Sequence, residues 1–159
     1  MMRPALQWTG LCIGLVLAIA AYLTVGTVVS AQEDKPYTIK DGVVDWYTFS
    51  GFRRYHSECH VCHGPDGMGS TFAPALVESL KTMPYDQYLE IVVNGKQQTG
   101  ATGQRVMPAF AMNKNVMCFV DDIYAYLKAR ADGAIGRGRP QKEPKPQEAA
   151  ERDDSCMGS

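Results

Sequence analysis

The sequence predicts a small all-α domain. Three observations carry this: apolar and aromatic residues return at helical spacing in several separate stretches, the segments between them are rich in glycine and proline, and no strand-helix-strand pattern surrounds "CHVCH". With 159 residues and an ordinary globular composition, the chain has room for one core plus extensions. Its formal charge of −1 lacks the clustered basic excess of a nucleic-acid binder, so that class is set aside.

Residues 1–31 read as an export signal. Arg3 gives a positive start, "LCIGLVLAIAAYLTVGTVV" is apolar, and Val29 and Ala31 supply the small residues of a cleavage site after Ala31. The alternative is an uncleaved membrane anchor, because the run approaches the roughly 20 residues that span a bilayer. Either way the remainder is exported, to the periplasm in a bacterium. Cys12 falls in the leader, which leaves Cys59, Cys62, Cys118 and Cys156 in a compartment that permits disulfides.

Residues 32–44 are polar and turn-rich and read as an extended lead-in to a domain over 45–133. Asp45 is placed to cap a first helix in which Trp46, Phe49, Phe52 and Tyr55 recur every three residues and form an aromatic face, continuing through "CHVCH". "GPDGMGSTFAPAL" cannot continue a helix and reads as a loop wrapping some object. "ALVESLKTM" and "YDQYLEIVVNGK" form two short helices, the second stopped by Gly95. "QQTGATGQRVMPAFAMNKN" reads as irregular, and a last helix runs from an Asn115 cap through Val116, Phe119, Val120, Ile123, Tyr126 and Leu127 to near Gly133. Residues 134–159 are proline-rich and charged, and are expected to be mostly disordered in isolation.

Tetrahedral zinc needs four ligands, usually as two pairs, and Cys118 and Cys156 are far from each other and each alone. A thioredoxin-type pair lacks its structural context. C-x-x-C-H is the attachment signature of one covalently bound haem c: Cys59 and Cys62, one helical turn apart, reach the vinyl groups on one porphyrin edge, and His63 supplies the proximal imidazole. His60 and His56 are read as non-ligands, because Met/His ligation is common in haem c and Met107 is a better distal candidate.

Met107 precedes Pro108 and Phe110 well downstream of His63, where the chain must return across the other haem face; Met112 is the runner-up. Met68 is too near His63 in sequence, and Met83 and Met117 read as core fillers. The Pro74 carbonyl is a candidate acceptor for the second nitrogen of His63, the alternative being that Pro74 only ends a loop.

With "GFRRYHSECHVCH", "APAL", "VMPAF" and "IYAYLKAR" the chain resembles class I cytochrome c, which implies first and last helices that cross, with Gly51 allowing close approach to Tyr124 or Tyr126 around a haem-centred core. "DGVVDWYTF", "FRRYHSECHVCHGPDGMGSTFAPAL" and "NVMCFVDDIYAYLKARADGAIGRGRP", with a cysteine near the end, are similar to the four-cysteine, methanol-metabolism-related c-type cytochromes over roughly residues 37–140. For the iron that resemblance implies Cys59, Cys62, His63 and Met107. Cys118 and Cys156 are expected to form a disulfide stapling the tail to the last helix, against two unpaired thiols.

A six-coordinate haem leaves no position for substrate, so the expected role is a one-electron carrier and not an enzyme. The resemblance implies a pyrroloquinoline-quinone-dependent methanol or related alcohol dehydrogenase as donor, and another cytochrome c or a terminal oxidase as acceptor. The rivals are a five-coordinate haem sensor or peroxidase, which requires that Met107 not bind iron, and a haem subunit of a larger dehydrogenase complex docked through the tail.

Overall fold

Asp45 opens the first helix and ties it to the segment before it. The structure, a computed structural model, describes residues 35–100 and 103–158, so the expected leader over 1–31 and its expected cleavage point lie outside the described residues. The Asp45 carboxylate accepts from the Thr48 backbone N–H at 2.9 Å and from the Thr48 hydroxyl at 2.8 Å, and also takes the Thr38 N–H at 2.6 Å. Capping in this way satisfies donors that a helix start leaves without partners. Helix α1 spans Trp46–Glu58, and its aromatic face buries Phe49 and Tyr55.

One continuous helix through His63 was expected; the chain instead breaks at Cys59 and restarts as α2, His60–His63. Cys62 and His63 both donate to the Cys59 carbonyl, so the two cysteines bracket a single tight turn. Gly64, with φ of 73°, ends it. A short helix α3, Leu76–Ser79, and then α4, Tyr85–Asn94, follow the loop, and Gly95 stops α4.

The last helix is also two pieces: α5, Lys114–Met117, and α6, Val120–Ala131, separated at Phe119. Asn115 is not its cap. The helix begins earlier, after Asn113, and the Asn115 side chain accepts from Arg54 Nη1 at 3.2 Å. Helix α6 is buried on most sides and packs closely against α1, the pair expected to cross. The close approach occurs at Gly51, but its neighbour is backbone and not a tyrosine: a Cβ at position 51 would overlap the Asp122 carbonyl and lie 2.9 Å from Ile123 N. Tyr126 instead packs edge-on against Phe52, with ring centroids 5.5 Å apart.

Three segments have more structure than their composition suggests. Residues 39–44 of the lead-in form a hairpin, β1 (Ile39–Lys40) with β2 (Val43–Val44), around Asp41 and Gly42, both at positive φ. Asp-Gly at that spot is a hairpin turn signal. The segment read as irregular contains an antiparallel pair, β3 (Lys96–Gly100) and β4 (Gly103–Met107), with Lys96 opposite Met107.

Within the folded chain the tail, expected to be mostly disordered in isolation, is ordered: β5 (Gln141–Lys142) pairs in parallel with β2, and α7 covers Gln147–Met157. Its order comes from cross-links that composition does not record. Cys156 is disulfide-bonded to Cys118, Ala149 is fully buried, and Arg152 makes two 2.8 Å hydrogen bonds to the carboxylate of Asp122, itself 3% exposed. From Lys35 onward the chain packs as one unit. Among the described residues, no helix is long and apolar enough to cross a membrane.

Candidate functional site

The α1–α2 corner and the loop after it bring two free thiols and one imidazole together. Cys59 is half-buried at the end of α1, and Cys62 is exposed one turn later. Burial pushes the Cys59 thiol up to about 12, with Glu58 and then Cys62 adding to the effect. Among the described residues no three His, Cys, Asp or Glu side chains gather as a metal-binding group.

His63 is 7% exposed, and its Nδ1 lies 3.0 Å from the Pro74 carbonyl. A carbonyl only accepts, so Nδ1 is the donor of this hydrogen bond. The loop that carries Pro74 is itself fixed. The Gly69 N–H donates to the His63 carbonyl at 2.7 Å, Ser70 N–H to the Ala73 carbonyl at 2.9 Å, and the Ser70 hydroxyl to the Cys62 carbonyl. Fully buried Tyr55 donates to the Gly64 carbonyl at 2.5 Å and accepts from Gly67 N–H at 3.0 Å.

Sequence reasoning missed Asp66, the centre of a buried polar network beside this loop. Its carboxylate accepts from Arg137 Nε at 3.2 Å, Gly138 N–H at 3.1 Å and Tyr126 Oη at 3.4 Å, and His56 Nε2 lies 3.5 Å away. Burial alone would raise its pKa; the Gly138 N–H, Arg137, His56 and Arg130 outweigh that and hold the carboxyl below its usual range. "PDG" shows locally only a turn. Two of its partners lie more than seventy positions downstream, where no local signal points back to it.

The remaining candidates separate by what occupies them. His56 has both nitrogens engaged, Nδ1 with the Phe52 carbonyl at 2.8 Å and Nε2 with Asp66. His60 is half-buried beside it, with ring centroids 5.9 Å apart. Met112 is 94% exposed, and Met68 is exposed with its sulfur 3.7 Å from Arg130 Nη2. Met107 is half-buried and, like Cys59, Leu76 and Phe110, packs against the main hydrophobic cluster. Met83 and Met117 share that partial burial.

Residues 49–127 match the family model described as cytochrome c oxidase, cbb3-type, subunit III. Cytochrome c-553I of Paracoccus denitrificans is 56% identical over 130 residues, 80% of this chain and 58% of that relative, so the chain spans little more than half of its length. Cytochrome c-555 of Methylococcus capsulatus is 39% identical over 100 residues, covering 62% of this chain and 75% of that one. The crystal structure of c-type cytochrome XoxG from Methylobacterium extorquens AM1 aligns with a TM-score of 0.66 at 50% identity, over 79% of this chain and 84% of that one.

The chain belongs to the c-type cytochromes.

It has the class I fold, and membership of this family implies a covalently bound haem c. The residues present fit that group: two unpaired thiols one turn apart, a buried imidazole with one nitrogen committed to a carbonyl, and a half-buried thioether packed on the same core as Cys59. The other two described cysteines are withdrawn from the site by their disulfide.

Proposed function

We propose that this c-type cytochrome is a periplasmic monohaem electron carrier, taking single electrons from a pyrroloquinoline-quinone-dependent methanol or related alcohol dehydrogenase and passing them to another cytochrome c or a terminal oxidase. Haem c supplies a reversible one-electron iron couple. Cys59 and Cys62 form the two thioether tethers. His63 Nε2 and the Met107 sulfur would hold the haem iron, and Pro74 would orient the imidazole and raise its basicity through the Nδ1 hydrogen bond. Ligation from both sides leaves no position for a substrate, and a thioether ligand holds the potential above that of two imidazoles.

The observation that carries this reading is the His63–Pro74 hydrogen bond beside two free cysteines, in a chain half identical to XoxG. The alcohol-dehydrogenase assignment follows the resemblance to methanol-metabolism-related cytochromes. Electrons pass at the Cys62 side, where Val61 and Phe72 are 75% and 73% exposed and Ser70 ties Phe72 N–H to the Cys62 carbonyl. Apolar exposure next to a redox edge suits a small, transient interface.

Stopped-flow mixing of the oxidised holoprotein with a reduced quinoprotein alcohol dehydrogenase tests the donor. Rapid reduction is expected. Failure there, with fast reduction by another cytochrome, would defeat the donor assignment and leave the carrier role standing. The tail is held against its own chain by Cys118–Cys156 and Arg152–Asp122, which argues against its use as a free docking arm.

A further inference from the structure

The geometry points to Gly95 as a positioning residue for Met107, acting through the backbone of the "MPA" segment. This rests on the reading of Met107 as distal ligand and adds the device that holds it. Gly95 follows the last residue of α4 with φ of 73° and ψ of 179°, a combination that side-chain-bearing residues rarely adopt. The space at its α-carbon is filled by that segment itself: a Cβ there would lie 2.6 Å from the Met107 carbonyl oxygen, 2.8 Å from Ala109 N and 2.9 Å from the Pro108 carbonyl carbon. All three are backbone atoms, which cannot swing aside as a side chain could.

Two further restraints act at the same place. The C-terminal carbonyls of α4 lack helical partners, and the chain just beyond that segment supplies them: Phe110 N–H donates to Val92 O at 3.0 Å and Ala111 N–H to Val93 O at 3.3 Å. The hairpin register sets Lys96 opposite Met107, so the residue after Gly95 pairs with the ligand residue itself. Residues 96–99 and 103–106 are otherwise exposed, so the ribbon gains little rigidity from burial. The Met107 backbone is therefore positioned from the helix end, and the absent side chain at 95 is what allows the seating.

The test uses holoprotein made with active cytochrome maturation machinery, read by the ferric methionine–sulfur absorption band and the midpoint potential. Gly95→Ala is expected to keep its covalent haem by mass, lose the band and shift to lower potential. Gly133→Ala is the control: φ is 69°, yet nothing lies within 4 Å of a Cβ there, so it shares the positive φ without the clash and should keep both signals.

Met107→Ala separates the two claims. If it retains the band, the ligand reading fails; if it loses the band while Gly95→Ala keeps the band and the wild-type potential, the positioning role is overturned. Should Gly95→Ala yield no holoprotein, Ala111→Pro decides. Residue 111 is the second residue of the Phe110–Asn113 turn, where proline is tolerated, and the change removes only the N–H to Val93 O. Loss of the band at a lower temperature than in wild type supports the inference, and an unchanged temperature contradicts it.

Discussion

The two sides of the proposed haem site are built by different means. On the His63 side, tethers, ligand and orienting carbonyl all lie within sixteen residues, Cys59 to Pro74, and the loop is cross-braced by Tyr55, Ser70 and Gly69 around a buried imidazole. On the Met107 side one residue approaches from a mostly exposed hairpin, seated by backbone contacts to the end of α4. The difference teaches that attachment is local and redundant, whereas distal ligation depends on a long-range fit. The first side should tolerate perturbation that the second does not.

The largest expected contrast comes from removing each side's key groups. Cys59→Ala with Cys62→Ala should abolish covalent haem, read as a mass equal to the polypeptide alone, while Met107→Ala should retain the full haem mass. Loss of covalent haem in Met107→Ala would break the comparison.

The tail sharpens it by reinforcing the fold without touching either ligand. Cys156→Ser opens a linkage between residues 38 apart and should lower unfolding stability by about 4 kcal/mol in the chain-entropy treatment, with an unchanged spectrum, as measured by denaturant melts. Arg152→Met leaves buried Asp122 without its counter-charge. Because Arg152 is partly in solvent, the expected loss is about 2 kcal/mol, below the range for fully buried pairs.

The smallest effect lies at Asp66. Asp66→Asn should cost about 1.5 kcal/mol at neutral pH, the scale of hydrogen bonds to a charged group. The folded pKa of this carboxyl lies below its unfolded value, so its contribution is fully present above about pH 4 and is lost as pH falls through the folded value. Denaturant melts from neutral to acid pH should show a shallower stability decline for Asp66→Asn than for wild type.

What could be read from sequence follows the same division. Cys59, Cys62, His63 and the capping Asp45 sit in short motifs whose geometry is local, as does the stop at Gly95. The break at Cys59 was hidden because helical periodicity continues across it. The β3–β4 hairpin was hidden because "KQQTG" and "GQRVM" bury almost nothing and show no apolar alternation. The ordered tail and Asp66 depend on partners far apart in sequence, Arg152 with Asp122 and Arg137 with Asp66, and composition registers only their charge.

Carbon monoxide added to the ferrous holoprotein tests the central claim, ligation from both sides, most directly. An absorption spectrum unchanged by the gas is the predicted result. Conversion to a carbon-monoxide-bound spectrum at neutral pH would mean an open iron position, and would contradict the assignment of Met107 and the carrier role built on it.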